Sequence, residues 1–398
     1  MIMLKLHERD NTEKHITVLN NASEVCISQE LNKSYRLSFK YPNDEKGVMI
    51  TVGRIVDCEG QFFRVLRVQH TNDGQNLLNI TCDHVFYADG QKVFVESFGR
   101  CTITSGTDGN VAVTAISDFV NERPSVIADY AVNKTWNAWY GRNSPFTFLK
   151  DKNELERIGM ESIDLDSDGA VKFTTDFFVK DKANVVELIE SIIENCGKGE
   201  IYVDNYNIAL VERIGRDSGV RLELDRNLES VTVERDITEM ITRLYPYGPN
   251  DEHIGSVAEG CHYVDSPNTE AYGIMAGYKN YDAIEGANDS VSVAAKLKAM
   301  AEWEFAKNNE NRIDVPSVSI SGRLVDISKL EEYGDVYKVR LGDTVTVIDN
   351  GVEIKERVTA IETYPYEAKS GSITIGKVQK NLYFYLDQLR HRVNMKGR

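Results

Sequence analysis

Apolar and polar residues alternate in short runs through the first 95 residues of the chain. The runs cover 14–19, 35–39, 48–52, 62–68 and 77–82. Glu59-Gly60 and Asp73-Gly74 separate some of them, and Asp-Gly is a favoured hairpin turn. Alternation with period two predicts half-buried strands. Several short strands at this spacing are typical of a small β-barrel or sandwich.

The pattern changes after about residue 95. Apolar side chains on one side predict a helix over 110–121, and Pro124 would follow its end. A polar and aromatic loop that contains Trp136, Trp139 and Tyr140 is expected next.

The clearest helical pattern covers residues 183–196. Its apolar positions recur at the spacing of one buried helix face: Val185, Leu188, Ile189, Ile192, Ile193 and Cys196. Asp181 is a candidate N-cap, and Gly197 is a candidate left-handed residue after the last turn. A hairpin follows, with strands at 200–203 and 208–211 around Asp204-Asn205. These elements predict an α+β insertion over 96–225.

Residues 228–250 contain two apolar runs, 231–233 and 240–245, separated by charged residues. They predict two strands that join the parts of the chain on either side. Pro246-Tyr247-Gly248-Pro249 predicts a turn after them. A second mixed stretch leads to a helix at 293–307, residues 311–378 return to the strand pattern, and the tail 381–398 is expected to be helical.

Two segments far apart in the chain share one pattern. ITVGRIVDCEGQFFRVLRV covers 50–68, and VRLGDTVTVIDNGVEIKERVTAI covers 339–361. Chance likeness between two β-hairpins is one explanation, and two similar barrels in one chain is the other. The corresponding residues are Gly53 and Gly342, Gly60 and Gly351, and Arg64-Val65 and Arg357-Val358.

Composition narrows the class of protein. The chain has 398 residues, of which 41% are hydrophobic and 27% charged, as is ordinary for two to four globular domains. No apolar run reaches the length of a membrane span, and the first residues do not form a signal peptide. We therefore expect synthesis in a cytoplasm and no membrane insertion. The net charge of −16 argues against sequence-specific nucleic-acid binding, because phosphate neutralisation needs clustered cations.

Six scattered cysteines form no Cys-x-x-Cys pair, so buried thiols are expected rather than a zinc site. Residues 164–169, DLDSDG, match the first half of a calcium loop. The twelfth position, where a calcium loop has Glu, is Thr175, and Val171-Lys172-Phe173 follows in a strand pattern. A polar hairpin turn is therefore the better interpretation.

Catalytic motifs are weak throughout the sequence. HExxH, GxSxG and the phosphate-binding glycine loops are absent. Cys82 and His84 could share one face of a strand while Asp83 faces away. His253, Cys261 and His262 could hold a metal in a loop. A core cysteine and unrelated polar side chains explain both groups more simply, so the sequence predicts no catalytic residue, no metal ligand and no cofactor.

The string VERDITEMITRLYPYG at 233–248, with the later VRLGDTVTV and ERVTAIE, resembles the N-terminal hub part of the prophage tail endopeptidase family. The resemblance extends over most of the chain and rests on short motifs rather than on catalytic residues. It implies a tail-tip protein of a phage or prophage, similar in fold to the central hub of contractile-tail baseplates. In that family the hub is a homotrimer under the tail tube, the distal tail protein lies above it, and the tape-measure protein feeds into it. Downstream receptor-binding or hydrolase components follow the hub.

These observations predict a β-rich α+β, multidomain protein with two similar small β-barrels and two α+β insertions. The expected domains are a first barrel at 1–95, an insertion at 96–225, a second barrel at 226–250 and 311–380, an insertion at 251–310, and a helical connector at 381–398. The predicted function is a non-enzymatic trimeric ring at the virion tail tip, made in the host cytoplasm, that lets DNA and the tape-measure protein pass. A wall-degrading peptidase with an unrecognised site is the alternative.

Overall fold

The computed structural model describes most of the chain as two compact units. The described residues are 3–71, 76–92, 94–95, 100–105, 111–115, 124–161, 163, 174–178, 183–196, 199–248, 251–281, 292–307, 309, 312–325, 338–349, 352–367 and 369–376. The first unit comprises the described parts of Met1–Ile214, Ile237–Pro316 and Tyr364–Glu367. The second unit comprises those of Gly215–Asp236, Ser317–Thr363 and Ala368–Arg398.

The first unit begins with seven strands that form one sheet in the order β3-β4-β7-β6-β5-β1-β2. Their inward side chains, among them Phe63 and Val65, form one core. The strands are β1 (Leu4–His7), β2 (His15–Leu19), β3 (Ser23–Glu30), β4 (Ser34–Pro42), β5 (Ile55–Cys58), β6 (Gln61–Thr71) and β7 (Leu77–His84).

This sheet must curl into a barrel, because its two outer strands follow one another in the chain. In a flat sheet, β2 and β3 would lie about 29 Å apart across six strand spacings. Residues 20–22, which connect them, can span at most about 14 Å. The predicted first barrel is therefore present.

The run 48–52 was predicted as a strand, and this prediction is wrong. A short 3-10 helix forms at Gly47–Met49 instead. The Asp44 carboxylate accepts hydrogen bonds from the N–H groups of Lys46 and Gly47, which turns the chain before a strand can begin. Ile50 is buried, whereas Val48 and Val52 are exposed.

The first insertion packs two longer helices against a small sheet in the order β11-β15-β14, and their shared core includes Trp136, Ile189 and Leu210. Two further sheets have the strand orders β10-β9-β12 and β13-β8. The elements are α1 (Val85–Gly90), β8 (Phe94–Val95), β9 (Arg100–Ser105), β10 (Val111–Ala115), α2 (Pro124–Tyr140), β11 (Thr147–Phe148), α3 (Lys152–Arg157), β12 (Thr174–Phe178), β13 (Ala183–Asn184), α4 (Val185–Cys196), β14 (Glu200–Asp204) and β15 (Asn207–Val211).

Two assignments in this region were wrong. The predicted helix at 110–121 contains strand β10, whose Val-Ala-Val-Thr-Ala sequence is rich in β-branched residues and pairs with β9. The predicted loop around Trp136 lies in helix α2. Pro124 begins this helix rather than ending one, as its fixed φ allows at a first helical position. Ala128, Val132 and Trp136, spaced by four residues, form the buried side of α2.

Helix α4 confirms the apolar stripe that the sequence predicts, since Val185, Leu188, Ile189 and Ile192 are fully buried. Its start is two residues later than predicted. The Asn184 side chain accepts from the Glu187 N–H at 3.0 Å, and the Glu187 carboxylate accepts from the Asn184 N–H at 3.1 Å. This reciprocal pair is a capping box, so Asn184 caps the helix.

The second insertion, also part of the first unit, is a three-stranded sheet in the order β19-β18-β20 with one helix packed on its inner side. The elements are β18 (Arg243–Tyr247), β19 (Val264–Asp265), α5 (Thr269–Tyr272), β20 (Ala276–Asn280) and α6 (Val293–Trp303), with a 3-10 helix at Ile254–Ser256. The prediction of a turn at 246–249 is wrong for its first two residues, because Pro246 and Tyr247 continue strand β18 beside β20. Strand β19 pairs only with Arg243 and Leu244, so the missing N–H of Pro246 leaves that ladder intact.

The second unit contains six strands in the order β16-β22-β23-β24-β21-β17. Its outer strands, β16 and β17, again follow one another in the chain. Residues 224–227 can span about 18 Å, which is less than the roughly 24 Å across five spacings of a flat sheet. This sheet therefore also curls into a barrel. Its strands are β16 (Asp217–Glu223), β17 (Leu228–Asp236), β21 (Ser317–Leu324), β22 (Thr344–Asp349), β23 (Val352–Thr363) and β24 (Gly371–Gly376).

Several predictions fall outside the described residues. They concern the calcium-like loop at 164–169, the tail helix at 381–398, the Asp73-Gly74 turn, Asp181, Gly197 and Gly351.

Candidate functional site

The two barrels have the same strand order. The order β3-β4-β7-β6-β5 in the first barrel matches the order β17-β21-β24-β23-β22 in the second. The matching strands also follow the same order along the chain. The two barrels differ in the strand that follows in the sheet: β1 pairs with β5 antiparallel, whereas β16 pairs with β22 in parallel. Strand β2 gives the first barrel one strand more than the second.

The chain turns a corner just before β5, at Gly53, and again just before β22, at Gly342. These two corners have the same pattern of backbone hydrogen bonds. The Gly53 N–H donates to the Val65 carbonyl at 2.8 Å, and the Gly342 N–H donates to the Val358 carbonyl at 2.9 Å. The return bonds also correspond, from Val65 N–H to the Arg54 carbonyl and from Val358 N–H to the Asp343 carbonyl. The correspondence of Gly53 with Gly342 is therefore confirmed at the level of individual bonds.

The arginines of the repeat have the same role in both corners. Arg64 Nη1 donates to the Gly53 carbonyl at 2.6 Å, and Arg357 Nε donates to the Gly342 carbonyl at 3.2 Å. Both glycines have positive φ, 91° and 83°, a conformation that other residues adopt only with strain. The shared Gly and Arg positions thus build one structural corner twice.

In the first barrel, Arg64 also forms a buried ion pair. Its Nη2 donates to Asp89 Oδ2 at 2.6 Å, and both side chains are less than a tenth exposed. Lys92 Nζ lies 2.5 Å from Asp89 Oδ1 and the Tyr206 hydroxyl 3.4 Å from Asp89 Oδ2, so the carboxylate has several partners. Burial lowers the pKa of Arg64, but the hydrogen bond and charge of Asp89 outweigh it and raise that pKa overall. The sequence pattern did not indicate this pair, because Asp89 lies outside the repeat.

Cys82 and His84 share the inward face of β7, as predicted, but their surroundings do not suit a nucleophile and base. Burial raises the pKa of the Cys82 thiol and lowers the pKa of His84 to about 3. The His84 Nδ1 accepts from the Phe86 N–H, and its Nε2 lies 3.2 Å from the Gln61 side-chain oxygen. Nδ1 therefore binds the start of helix α1, and Nε2 contacts the neighbouring strand β6.

His253 and His262 are brought together, with stacked rings whose centroids are 3.8 Å apart. The His253 Nδ1 accepts from the Gly255 N–H and caps the 3-10 helix. Cys261 is exposed. Within the described ranges, no group of three or more His, Cys, Asp or Glu side chains could hold a metal ion. No helix in that part of the chain is long and apolar enough to cross a membrane.

Comparison with family models identifies two segments. The N-terminal domain model of the prophage endopeptidase tail matches residues 2–84, which contain the first barrel. The prophage endopeptidase tail model matches residues 216–384, which include the strands of the second barrel and the second insertion. No curated protein sequence matches the chain.

Solved structures share the fold over nearly the whole length. A prophage tail protein from Listeria monocytogenes is 16% identical, with a TM-score of 0.58 over 98% of this chain and 99% of its own. The 43 kDa tail protein of prophage MuSo2 from Shewanella oneidensis is 13% identical, with a TM-score of 0.56 over 94% and 98%. A tail protein from Neisseria meningitidis is 10% identical, with a TM-score of 0.53 over 94% and 96%.

At these identities, the structural likeness establishes a common fold. The two family models match in chain order and together span more than half of the sequence. The chain belongs to the prophage endopeptidase tail family.

Proposed function

We propose that this protein is the structural hub of a phage or prophage tail tip and assembles as a homotrimeric ring. The observation that carries the proposal is the doubled barrel, with matching strand order and matching Gly-Arg corners. Three chains with two similar barrels each would offer six similar units. A threefold hub of this kind could dock on a tail tube built from sixfold rings. Closure would need a cyclic, head-to-tail interface.

In this proposal the ring joins the tail tube to the tip and lets DNA and the tape-measure protein pass. The distal tail protein binds on the tube side, and receptor-binding or hydrolase components follow. The domain limits proposed from the sequence, 1–95, 96–225, 226–250 with 311–380, 251–310 and 381–398, belong to the same proposal, except that strand β16 (Asp217–Glu223) counts with the second barrel and strand β18 (Arg243–Tyr247) with the second insertion. The protein is made in the host cytoplasm and functions at the virion tail tip.

The proposed role is non-enzymatic and needs no metal. The buried state of Cys82 and His84 supports it, because a thiol with a raised pKa and a histidine with a lowered one make a poor nucleophile and base at neutral pH. The purified chain should release no fragments from peptidoglycan or casein, and elemental analysis should find no stoichiometric zinc. Digestion that is lost in His84→Ala would contradict this part of the proposal.

The trimer is tested by native mass spectrometry and light scattering on the full chain, alone and mixed with the distal tail protein. We expect a mass of three chains in at least the mixed sample, and threefold symmetry in electron micrographs. A matched control is Met3→Gln, which changes one exposed apolar side chain outside the barrel core and should leave the mass unchanged. A protein that stays monomeric in both samples at high concentration would refute the hub proposal.

A further inference from the structure

One side of the sheet β19-β18-β20 carries a row of tyrosines. Strand pairing places Tyr245 of β18 opposite Tyr278 of β20, so both side chains point to the same side. Tyr263, just before β19, lies on the other flank of Tyr245, with ring centroids 5.5 Å apart. Leu244 faces the opposite side, where it packs with Ala301 and Phe305. We call the side with the three tyrosines the tyrosine face.

The tyrosine face is open among the described residues. Tyr278 is 60% exposed, and Tyr245 and Tyr263 are half-buried. The Arg243 guanidinium lies 3.9 Å from the ring centroid of Tyr263 and holds that ring in place by a cation–π contact. The Tyr263 ring is thus held by Arg243 before any ligand arrives, which lowers the entropic cost of binding there.

The charges on this face cancel. Arg243 Nε and Nη2 donate to the two carboxylate oxygens of Asp265 at 2.6 and 2.7 Å. Among the described strand residues, the register places Ala276, Tyr247 and Asn280 beside them on the same side. The neighbouring cation Lys279 points the other way and pairs with Glu304. A polyanion such as DNA needs unpaired cations, so the face does not suit it.

The size of the face also limits its ligand. Strands β18 and β20 have five residues each and β19 has two, so the sheet covers at most roughly 10 by 15 Å. This area is far below the roughly 800 Å² that each partner buries in a stable protein–protein interface. Tyrosines on three neighbouring strand positions fit a ligand that is narrow, extended and about two or three rings long.

We infer that the tyrosine face binds a neutral saccharide chain. The C–H bonds on the flat side of a pyranose carry partial positive charge, and the electron-rich ring faces of Tyr245 and Tyr278 would attract them. The bidentate contact with Asp265 occupies two of the five N–H donors of Arg243, and further donors could bind sugar hydroxyls. This binding activity does not depend on the trimer and goes beyond the hub function.

The test is isothermal titration of the full chain with chitohexaose, an uncharged β-linked oligosaccharide, and with cellohexaose. We expect binding of at least one probe in the micromolar to millimolar range. Raising the salt concentration from 50 to 500 mM should leave the affinity unchanged, since no phosphate or carboxylate is recognised. Tyr278→Ala should weaken binding at least tenfold, and Tyr278→Phe should retain most of it.

Tyr140→Ala is the matched control, since it removes an exposed tyrosine from helix α2 of the other insertion. It should bind like the unchanged chain. The melting temperature of each variant is measured to show that the fold persists, as expected for a side chain as exposed as Tyr278. The inference is overturned if neither probe binds at millimolar concentration, if binding weakens with salt, or if Tyr278→Ala binds normally. Loss of binding to the distal tail protein in Tyr278→Ala, without saccharide binding, would assign the face to a protein instead.

Discussion

The side-chain oxygen of Asn205 accepts a hydrogen bond from the backbone N–H of Phe62 at 2.7 Å. Its side-chain nitrogen donates to the Gly60 carbonyl at 2.9 Å. Asn205 lies in the turn between β14 and β15, and Phe62 is the second residue of the long strand β6. One residue of the first insertion therefore binds the hairpin turn of the first barrel through both ends of its amide. Its φ of 55° is left-handed, a region that Asn tolerates better than most residues.

Two substitutions at Asn205 separate the contribution of its side-chain hydrogen bonds from that of its left-handed backbone conformation. Asn205→Gly keeps the turn and removes both side-chain bonds, so we expect a loss of about 1–3 kcal/mol in the free energy of unfolding. Asn205→Ala adds backbone strain at positive φ and should cost about 1 kcal/mol more. Urea unfolding measures both values. Equal stability of the two variants would show that the turn relaxes without strain.

The ion pair between Arg64 and Asp89 should be the costliest polar contact to break in the first barrel. Asp89→Ala leaves a buried guanidinium without its carboxylate, and we expect a loss of about 3–5 kcal/mol in the free energy of unfolding. Glu30→Ala is the matched control, because its partner Lys33 is exposed and such pairs contribute at most about 1 kcal/mol. Equal costs for the two changes in urea titrations would contradict the burial argument.

His84 should make the protein sensitive to acid. Its pKa is about 3 in the folded chain because burial disfavours the charged ring, and about 6.5 in an unfolded one. As the pH falls, His84 is therefore protonated in the unfolded state before it is protonated in the folded state. The stability that neutral His84 provides is present above pH 6.5 and decreases as the pH falls towards 3, by up to about 1.4 kcal/mol per pH unit. Protonating Nδ1 would also remove its bond from the Phe86 N–H.

His84→Asn should flatten this part of the pH profile, because Asn can still accept the Phe86 N–H bond but does not titrate between pH 3 and 7. Urea titrations at pH 7.0, 5.5 and 4.5 measure the slope. Gln69→Asn, at an exposed residue of β6 that does not titrate, is the control and should keep the slope of the unchanged chain. An unchanged slope in His84→Asn would assign the acid sensitivity to other groups.

Helix α4 should be a structural element of the first insertion. Ile189 is fully buried in its core, so Ile189→Ala should cost about 2–5 kcal/mol in the free energy of unfolding. Glu190→Ala changes the adjacent exposed residue and should cost no more than about 0.5 kcal/mol. A melting temperature that Ile189→Ala leaves unchanged would show that the stripe is not buried in solution.

The sequence by itself determined the features that repeat at short range. Alternation of period two predicted strands such as β4 and β7, and the apolar stripe predicted α4. The likeness of 50–68 to 339–361 predicted two similar barrels, because a corner built on Gly and Arg needs those residue types in both copies. The corresponding bonds of Gly53 and Gly342 confirm this inference.

Only the tertiary structure decided which distant residues meet. The two sheets must curl because β2 and β3, and likewise β16 and β17, are consecutive in the chain yet lie at opposite ends of the strand order within their own unit, which no local pattern reveals. The partner of Arg64 is 25 residues away. Tyr245 lies opposite Tyr278 through the pairing of β18 with β20, and strand β19 and helix α5 come between these two in the chain. Local propensity is a weak guide to secondary structure where such contacts decide it. Strand β10 forms because it pairs with β9, and Pro246 stays in strand β18 because that strand pairs with β20. The tyrosine face and the buried ion pair depend on strand pairing across the fold, and that is information a run of neighbouring residues does not contain.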